Sequence, residues 1–368
     1  MTVTRITTPL PTSKSAQTTR PTASFRSPTS TSKKRLKVED FQAEPRWDFE
    51  DEYRLEEGSP QTNCPDSVKV KAAQSYWLRE RFLPNLTLFL DLKHFNLSEW
   101  DRLEHFKPPF GFMGLNYSMV QGVLEKFPPV SQQQLLLASH PQTGGLQCIS
   151  CAVVGNGGIL KRSQMGQEID SHDYVFRVNG ALITGYEKDV GTRTSFYGFT
   201  SYSLLMSLKY LRKQGFHQMP KGKDIHYLHF LEGHRDFEWL ENTLRDEIMV
   251  KAVTEKRYLL IHPDLLRYVK NRFLRSEILD SIYWPLYRPS NGAFLLLTAI
   301  QLCDRVSAYG FITNDFRRFA DHYYDPRWEK LKLYTNHDFI LEKRLWKQLH
   351  NEGIIRLYQG PKAITPQN

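Results

Sequence analysis

From about residue 146 onward, short apolar runs alternate with longer stretches of helical pattern, and this alternation constrains the fold more than any other feature. Gln147–Gly155 is an apolar run closed by glycine, the pattern of a strand buried on both faces. Tyr174–Val178, Thr194–Tyr197, Ile225–Phe230, Tyr258–Ile261 and Val306–Phe311 read as further strands. Ile159–Ile169, Ser203–Lys213, Phe237–Met249, Ala293–Cys303 and Asp338–His350 read as helices between or after them. Such an order predicts an α/β fold: a Rossmann-like, doubly wound, mainly parallel sheet. Ligands of such sheets bind at the carboxyl ends of the strands. The turn Asn156-Gly157-Gly158 is placed at one such end. No internal repeat is present.

The amino-terminal part follows other rules. Residues 1–32 hold ten Thr, six Ser and four Pro, too little apolar surface to offset the entropy of ordering. Residues 1–38 are therefore expected to form a disordered stem, of the composition found in O-glycosylated stalks. Residues 39–80 read as a connector and 81–368 as the main domain. The net charge of +9 resides in the stem: residues 1–38 carry eight basic and no acidic residues, leaving 41 basic against 40 acidic in the rest. A nearly neutral domain lacks the concentrated positive field that tracks a phosphate backbone, so nucleic acid is not expected as a partner. No apolar run reaches the roughly 18 residues of a membrane span. Three N-glycosylation sequons, at Asn85, Asn96 and Asn116, cluster within 34 residues and favour a secretory compartment.

The cysteines are Cys64, Cys148, Cys151 and Cys303. Cys148 and Cys151 form a C-x-x-C, which suits zinc or a thiol redox pair. Zinc requires a second compact pair or ligand-spaced histidines, and the other cysteines are distant. A redox pair normally opens a helix, whereas this one enters a predicted strand. The even count and the sequons favour two long-range disulfides in an oxidising lumen, each contributing roughly 2–4 kcal/mol.

Common catalytic signatures are missing. Gly155-Asn156-Gly157-Gly158 offers exposed backbone N–H groups suited to an anion, or a tight structural turn. It is neither a dinucleotide fingerprint nor a Walker loop. The sequence has no Asp-x-Asp for a metal-held diphosphate, no Gly-x-Ser-x-Gly elbow and no His-Glu-x-x-His helix.

Taken in order, the remaining motifs are specific. Cys151-Ala-Val-Val-Gly-Asn-Gly-Gly-Ile-Leu, Gly166-Gln-Glu-Ile-Asp-Ser-His-Asp, Phe176-Arg-Val-Asn179 and Asp189-Val-Gly-Thr-Arg-Thr194 together resemble the long sialylmotif of animal sialyltransferases. Arg288-Pro-Ser-Asn-Gly292, running to Cys303-Asp-Arg-Val-Ser-Ala-Tyr-Gly-Phe311, resembles the short sialylmotif. His322-Tyr-Tyr-Asp325 resembles the third motif, and His337-Asp-Phe-Ile-Leu-Glu342 the very short one. All four stand in family order over residues 148–342. Within the family, the wording is similar to the branch acting on GalNAc O-linked to Ser or Thr, which makes sialyl-Tn.

The resemblance implies a GT-A-like sialyltransferase variant of the fold. It implies inverting transfer of sialic acid from CMP-sialic acid to the 6-hydroxyl of GalNAc on glycoproteins, with no metal or other cofactor. It implies a Golgi enzyme whose membrane anchor would lie upstream of Met1. His337 matches the general base, a role suited to imidazole. It is expected just before a helix capped by Asp338, with Glu342 structural or orienting. His322 matches the histidine that meets the donor phosphate. Asn156, Asn179, Ser290, Asn291 and Gly292 match donor-contacting positions; Asn291 stands where Ser or Thr is usual, so a backbone contact is the safer expectation there. The resemblance further implies a Cys151–Cys303 disulfide, and with it one between Cys64 and Cys148. Arg177, Asp170 and Arg193 are expected as structural ion pairs, and Tyr309 and Phe311 as core. The alternatives are a family member with a galactosylated or sialylated acceptor, a non-catalytic glycan-binding relative, or a different nucleotide-dependent enzyme such as a dehydrogenase.

Overall fold

The computed structural model describes residues 35–58, 62–130, 132–136, 148–243 and 246–361. The expected stem, but for residues 35–38, lies outside them. From Leu36 onward the chain forms one compact unit. Its centre is an eight-stranded sheet of β1 (Phe89–Leu90), β2 (Ser150–Val154), β3 (Tyr174–Val178), β4 (Phe196–Phe199), β5 (His226–His229), β6 (Tyr258–Ile261), β7 (Arg305–Tyr309) and β8 (Ile355–Leu357). The spatial order is β1-β6-β5-β4-β3-β2-β7-β8. Every pairing is parallel except that of β1, which runs antiparallel to β6 through Phe89↔Ile261 and Leu90↔Leu260. From β2 the chain winds outward to β6 on one side and then returns to β7 and β8 on the other. The strand order therefore reverses between β2 and β7, where such sheets open a crevice for ligand.

The central parallel strands are buried because most of their side chains on both faces are apolar. β4 and β6 are buried along their whole length, as are the last four residues of β2, β3 and β7. The helix Asn291–Leu302 packs on β2, β3, β4 and β7 and buries every residue but Gly292. Its N-cap is Ser290, whose hydroxyl accepts the Ala293 N–H at 3.1 Å, satisfying one of the orphan donors of the first turn. The helix Phe339–Asn351 packs on β8 and is capped by Asp338, which accepts the Leu341 N–H at 2.9 Å, as expected.

Several predicted boundaries differ. The helix expected over Ile159–Ile169 is a 3-10 turn at Gly158–Leu160 and a short helix at Gly166–Asp170. Between them Arg162 and Gln164 take positive φ, and their N–H groups donate to Asp189 at 2.7 and 3.0 Å. A distant carboxylate thus claims the donors that a continuous helix needs. The helix expected over Phe237–Met249 is two, His234–Thr243 and Glu247–Thr254, the second capped by Asp246. The strand expected at Thr194–Tyr197 lies at Phe196–Phe199, because pairing with β3 and β5 sets its register. Edge strands β1 and β8 carry too few residues for a periodic signal.

Residues before the sheet dock onto it. Buried Asp264 pairs with Arg102 and Arg267 at 2.7 Å each and accepts the Arg54 N–H at 2.7 Å; these cations hold its carboxyl far below the usual range despite burial. Arg267 also donates to the carbonyls of Glu50 and Glu52, and Lys270 pairs with Glu44. Disulfides join Cys64 to Cys148 and Cys151 to Cys303. The second bridges β2 to the end of the Asn291–Leu302 helix. The C-x-x-C is therefore divided between two bridges and is neither a zinc site nor a redox pair. No helix among the described residues is long and apolar enough to cross a membrane.

Candidate active site

The carboxyl ends of β2 and β7 meet through backbone alone. The Gly155 N–H donates to the Tyr309 carbonyl at 2.8 Å and the Gly157 N–H to the Gly310 carbonyl at 3.0 Å. Gly310 has φ +72°, and a Cβ there would meet the Gly155 carbonyl. A Cβ on Gly158 would collide with the Ala320 carbonyl. Glycine is required because two chain segments pass within backbone distance.

That close approach carries His322 to the crevice. Gly157 and His322 form an isolated antiparallel bridge, and the Tyr323 N–H donates to the Asn156 carbonyl at 3.1 Å. The His322 ring stacks on Tyr324 with centroids 4.9 Å apart. Its Nδ1 lies 3.5 Å from Asp325 and 3.7 Å from Asp321. Burial pushes both carboxyls up; at Asp325 the hydrogen bonds from His322 more than offset it and leave a net downward shift, whereas Asp321 stays raised.

The three asparagines of the motifs converge. Asn156 donates its side-chain amide to the Val178 carbonyl at 3.2 Å, and its Oδ1 is buried with no protein partner. Asn179 follows β3 with φ +55°; its Oδ1 accepts from Asn291 Nδ2 at 2.9 Å. Asn291 thus spends its side-chain amide N–H on the protein. A methyl at Gly292 would make only ordinary contacts, 3.5 Å to Ser290 Oγ and 3.6 Å to Phe311, so packing within the protein does not demand glycine there.

His337 stands one residue before its helix cap. Its Nδ1 lies 2.9 Å from the Arg288 carbonyl. A carbonyl only accepts, so Nδ1 carries the proton and Nε2 presents a lone pair. Asn336 Nδ2 lies 3.3 Å from that Nε2. Burial, aided by the Arg288 charge and opposed by the carbonyl, lowers the imidazole to about 4. Arg288 is held by an ion pair to Glu232 at 2.6 Å, and its N–H donates to the Asn336 carbonyl at 3.0 Å. Glu342 lies one turn further, buried, accepting both the N–H and the hydroxyl of Ser290 at 2.8 Å.

The motif residues therefore form one connected set: His322 against Gly157 and Asn156, Asn179 joined to Asn291, and Ser290 joined to the His337 helix through Glu342. Sequence reasoning missed the Arg288 carbonyl, Asn336 and Glu232. A backbone acceptor leaves no mark on a sequence, and Glu232 sits in an unpatterned loop. Arg177, Asp170 and Arg193 are structural, but their partners are main-chain groups and, for Asp170, also the Thr192 hydroxyl. Arg177 donates to the Arg193 and Val190 carbonyls, Asp170 accepts from Thr192 and Arg193, and Arg193 donates to three carbonyls. Tyr309 and Phe311 are buried. Of the sequon residues, Asn96 and Asn116 are exposed helix N-caps, whereas Asn85 donates its amide to the Glu56 carbonyl at 3.0 Å. A separate cleft of about 700 Å³, lined by Leu92, Phe127, Pro129 and Val253 among others, contains none of these groups.

The family described as glycosyltransferase family 29 (sialyltransferase) matches residues 89–354. The human protein named alpha-N-acetylgalactosaminide alpha-2,6-sialyltransferase 1 is 62% identical over 96% of the chain. Its mouse counterpart of the same name is 58% identical over 96%. The chain spans 62% and 70% of those two relatives' lengths. The crystal structure of a mammalian sialyltransferase has the same fold at a TM-score of 0.55 and 23% identity, covering 84% of this chain and 100% of that one.

Proposed function

The chain belongs to glycosyltransferase family 29, the sialyltransferases, and from that premise we propose that it transfers sialic acid from CMP-sialic acid to the 6-hydroxyl of GalNAc O-linked to Ser or Thr. The observation that carries the reading is the fixed tautomer of His337. With Nδ1 committed to the Arg288 carbonyl, Nε2 is the basic nitrogen, accepting from Asn336 Nδ2 at 3.3 Å until an acceptor hydroxyl takes that place. The acceptor oxygen forms a bond to the anomeric carbon as the bond to the CMP phosphate oxygen breaks, with inversion. Nε2 takes the hydroxyl proton, and the phosphate leaves with the electron pair. One base and no protein nucleophile suffice.

Burial lowers the imidazole. The donor brings a phosphate and a carboxylate, and negative charge nearby favours imidazolium, so the base strengthens once substrate is present. His322, placed against the glycine turn, meets the leaving phosphate. Asn156 supplies a buried oxygen without a protein partner to the donor's ribose or base. Ser290, Asn291 and Gly292 present the start of a twelve-residue helix, where N–H groups and the dipole favour an anion. A donor with one phosphate can be met by these groups without a metal ion. We place the reaction in the Golgi lumen, an oxidising setting in which the two disulfides persist.

The test is incubation with CMP-sialic acid and synthetic GalNAc-glycopeptides, with and without chelator, followed by linkage mapping. Transfer to C6 of peptide-linked GalNAc at an unchanged rate in chelator is expected. Transfer only to terminal galactose would refute the acceptor, and activity restored by Mn²⁺ would refute the metal-free chemistry.

A further inference from the structure

Two segments that lead into the His337 anchor carry exposed apolar side chains that the fold does not use. In the first, Trp284 and Tyr287 are buried. Trp284 Nε1 donates to the Phe41 carbonyl at 3.3 Å and the Tyr287 hydroxyl to the Leu274 carbonyl at 2.5 Å. These two anchors hold the turn so that Ile282, Tyr283 and Leu286 point outward, at 70%, 59% and 51% exposure. In the second, Trp328, Leu333 and Tyr334 are 62%, 58% and 53% exposed. The segments join where the Arg288 N–H meets the Asn336 carbonyl at 3.0 Å. The Tyr334 ring lies 6.5 Å from that of His337, edge to face. Single exposed apolar residues need no explanation, but two joined segments that each expose three, one of them against the His337 ring, do.

Resting on the function proposed above, we infer that these side chains, with Tyr334 nearest the base, bind the polypeptide of the acceptor rather than its sugar. The reach requires it. The 6-hydroxyl must lie at His337 Nε2, and one monosaccharide separates that hydroxyl from the Ser or Thr that bears it. The polypeptide therefore crosses the surface around His337, which Tyr334 flanks and from which the two segments extend. Aromatic and aliphatic side chains on an anchored turn offer contact area at low entropic cost. They suit the Pro, Ala and Thr methyl groups of uncharged Ser/Thr/Pro-rich chains. Around Trp328 the cations Arg327, Lys330 and Lys332 are balanced by Asp321, Asp325 and Glu329, with Lys332 and Glu329 paired at 3.0 Å. That balance suits an uncharged acceptor sequence.

The experiment compares two acceptors on the full chain: a Thr-linked GalNAc glycopeptide and methyl α-GalNAc, the same sugar without peptide. The wild type is expected to show a lower KM for the glycopeptide. Leu286→Ser with Leu333→Ser should raise that KM about tenfold while leaving kcat/KM for methyl α-GalNAc and KM for CMP-sialic acid unchanged. Trp328→Ser serves as the second variant. Retained stabilisation by CMP shows that each variant is folded. Equal KM values for both acceptors in the wild type, or equal losses on both in the variants, overturn the inference. So does a loss of self-association or of binding to anionic vesicles with KM unchanged, which would assign the patch to a second copy or a lipid surface. If the wild type transfers to neither GalNAc acceptor, the functional reading itself fails.

Discussion

Glu342 grips Ser290 twice: Oε1 accepts the Ser290 main-chain N–H and Oε2 accepts its hydroxyl, both at 2.8 Å. Ser290 caps the helix that begins the short motif, and Glu342 lies in the first turn of the helix that follows His337. One buried carboxyl therefore fixes His337, the proposed base, relative to the proposed donor loop. Such a group acts through others and is a positioning residue.

Burial pushes the Glu342 carboxyl up to about 7, against the lowering effect of the Ser290 hydrogen bonds. Between its unfolded value near 4.5 and about 7 the folded protein holds a proton that the unfolded chain has lost. Stability therefore falls as pH rises through that window, by about 3 kcal/mol in total from this group. Glu342→Gln removes the titration. Denaturant unfolding at pH 5 and pH 8 should show the wild type losing that amount relative to the variant; parallel curves would mean that the carboxyl is solvated.

His337 is lowered to about 4, chiefly by burial, so the free enzyme keeps this base unprotonated through the mildly acidic range. We expect kcat/KM, which reports the free enzyme's groups, to show no acid-side loss from His337 between pH 7 and pH 5. An acid limb with its midpoint near 6.5 would place the imidazole in ordinary solvent.

His337→Ala should reduce kcat by roughly 10²–10⁴-fold, the usual worth of a positioned base, while the affinity for CMP stays within about twofold. Titration of CMP binding by calorimetry separates the two effects. A matching loss of CMP affinity would assign His337 to binding or to folding.

Gly292 and Gly158 should respond oppositely to alanine. Gly292→Ala has room for its methyl and gains helix propensity of up to about 1 kcal/mol, so thermal stability should hold or rise. The KM for CMP-sialic acid should rise, because the methyl stands where the donor approaches the helix start. Gly158→Ala collides with the Ala320 carbonyl and should lower stability by at least about 1–3 kcal/mol. Unaltered donor KM in Gly292→Ala would remove that glycine from the site.

The sequence by itself determined the parallel sheet, because strands buried on both faces are mostly apolar, and Tyr174–Val178 and Tyr258–Ile261 are found at the predicted residues. It also determined the N-cap at Asp338, since a carboxylate before an amphipathic run has a local partner three residues on. Tertiary structure decided what has no local cause. Asp189 dissolved the helix expected over Ile159–Ile169 by drawing on N–H groups 25 and 27 residues away. Asn291 found Asn179 across 112 residues and Glu342 found Ser290 across 52. His337 acquired its tautomer from a carbonyl 49 residues away. Periodicity reports only which face a segment buries. Which polar group meets which depends on how buried faces bring distant turns together, and a buried polar atom then takes the partner that packing puts within reach, since burying it unpaired costs more.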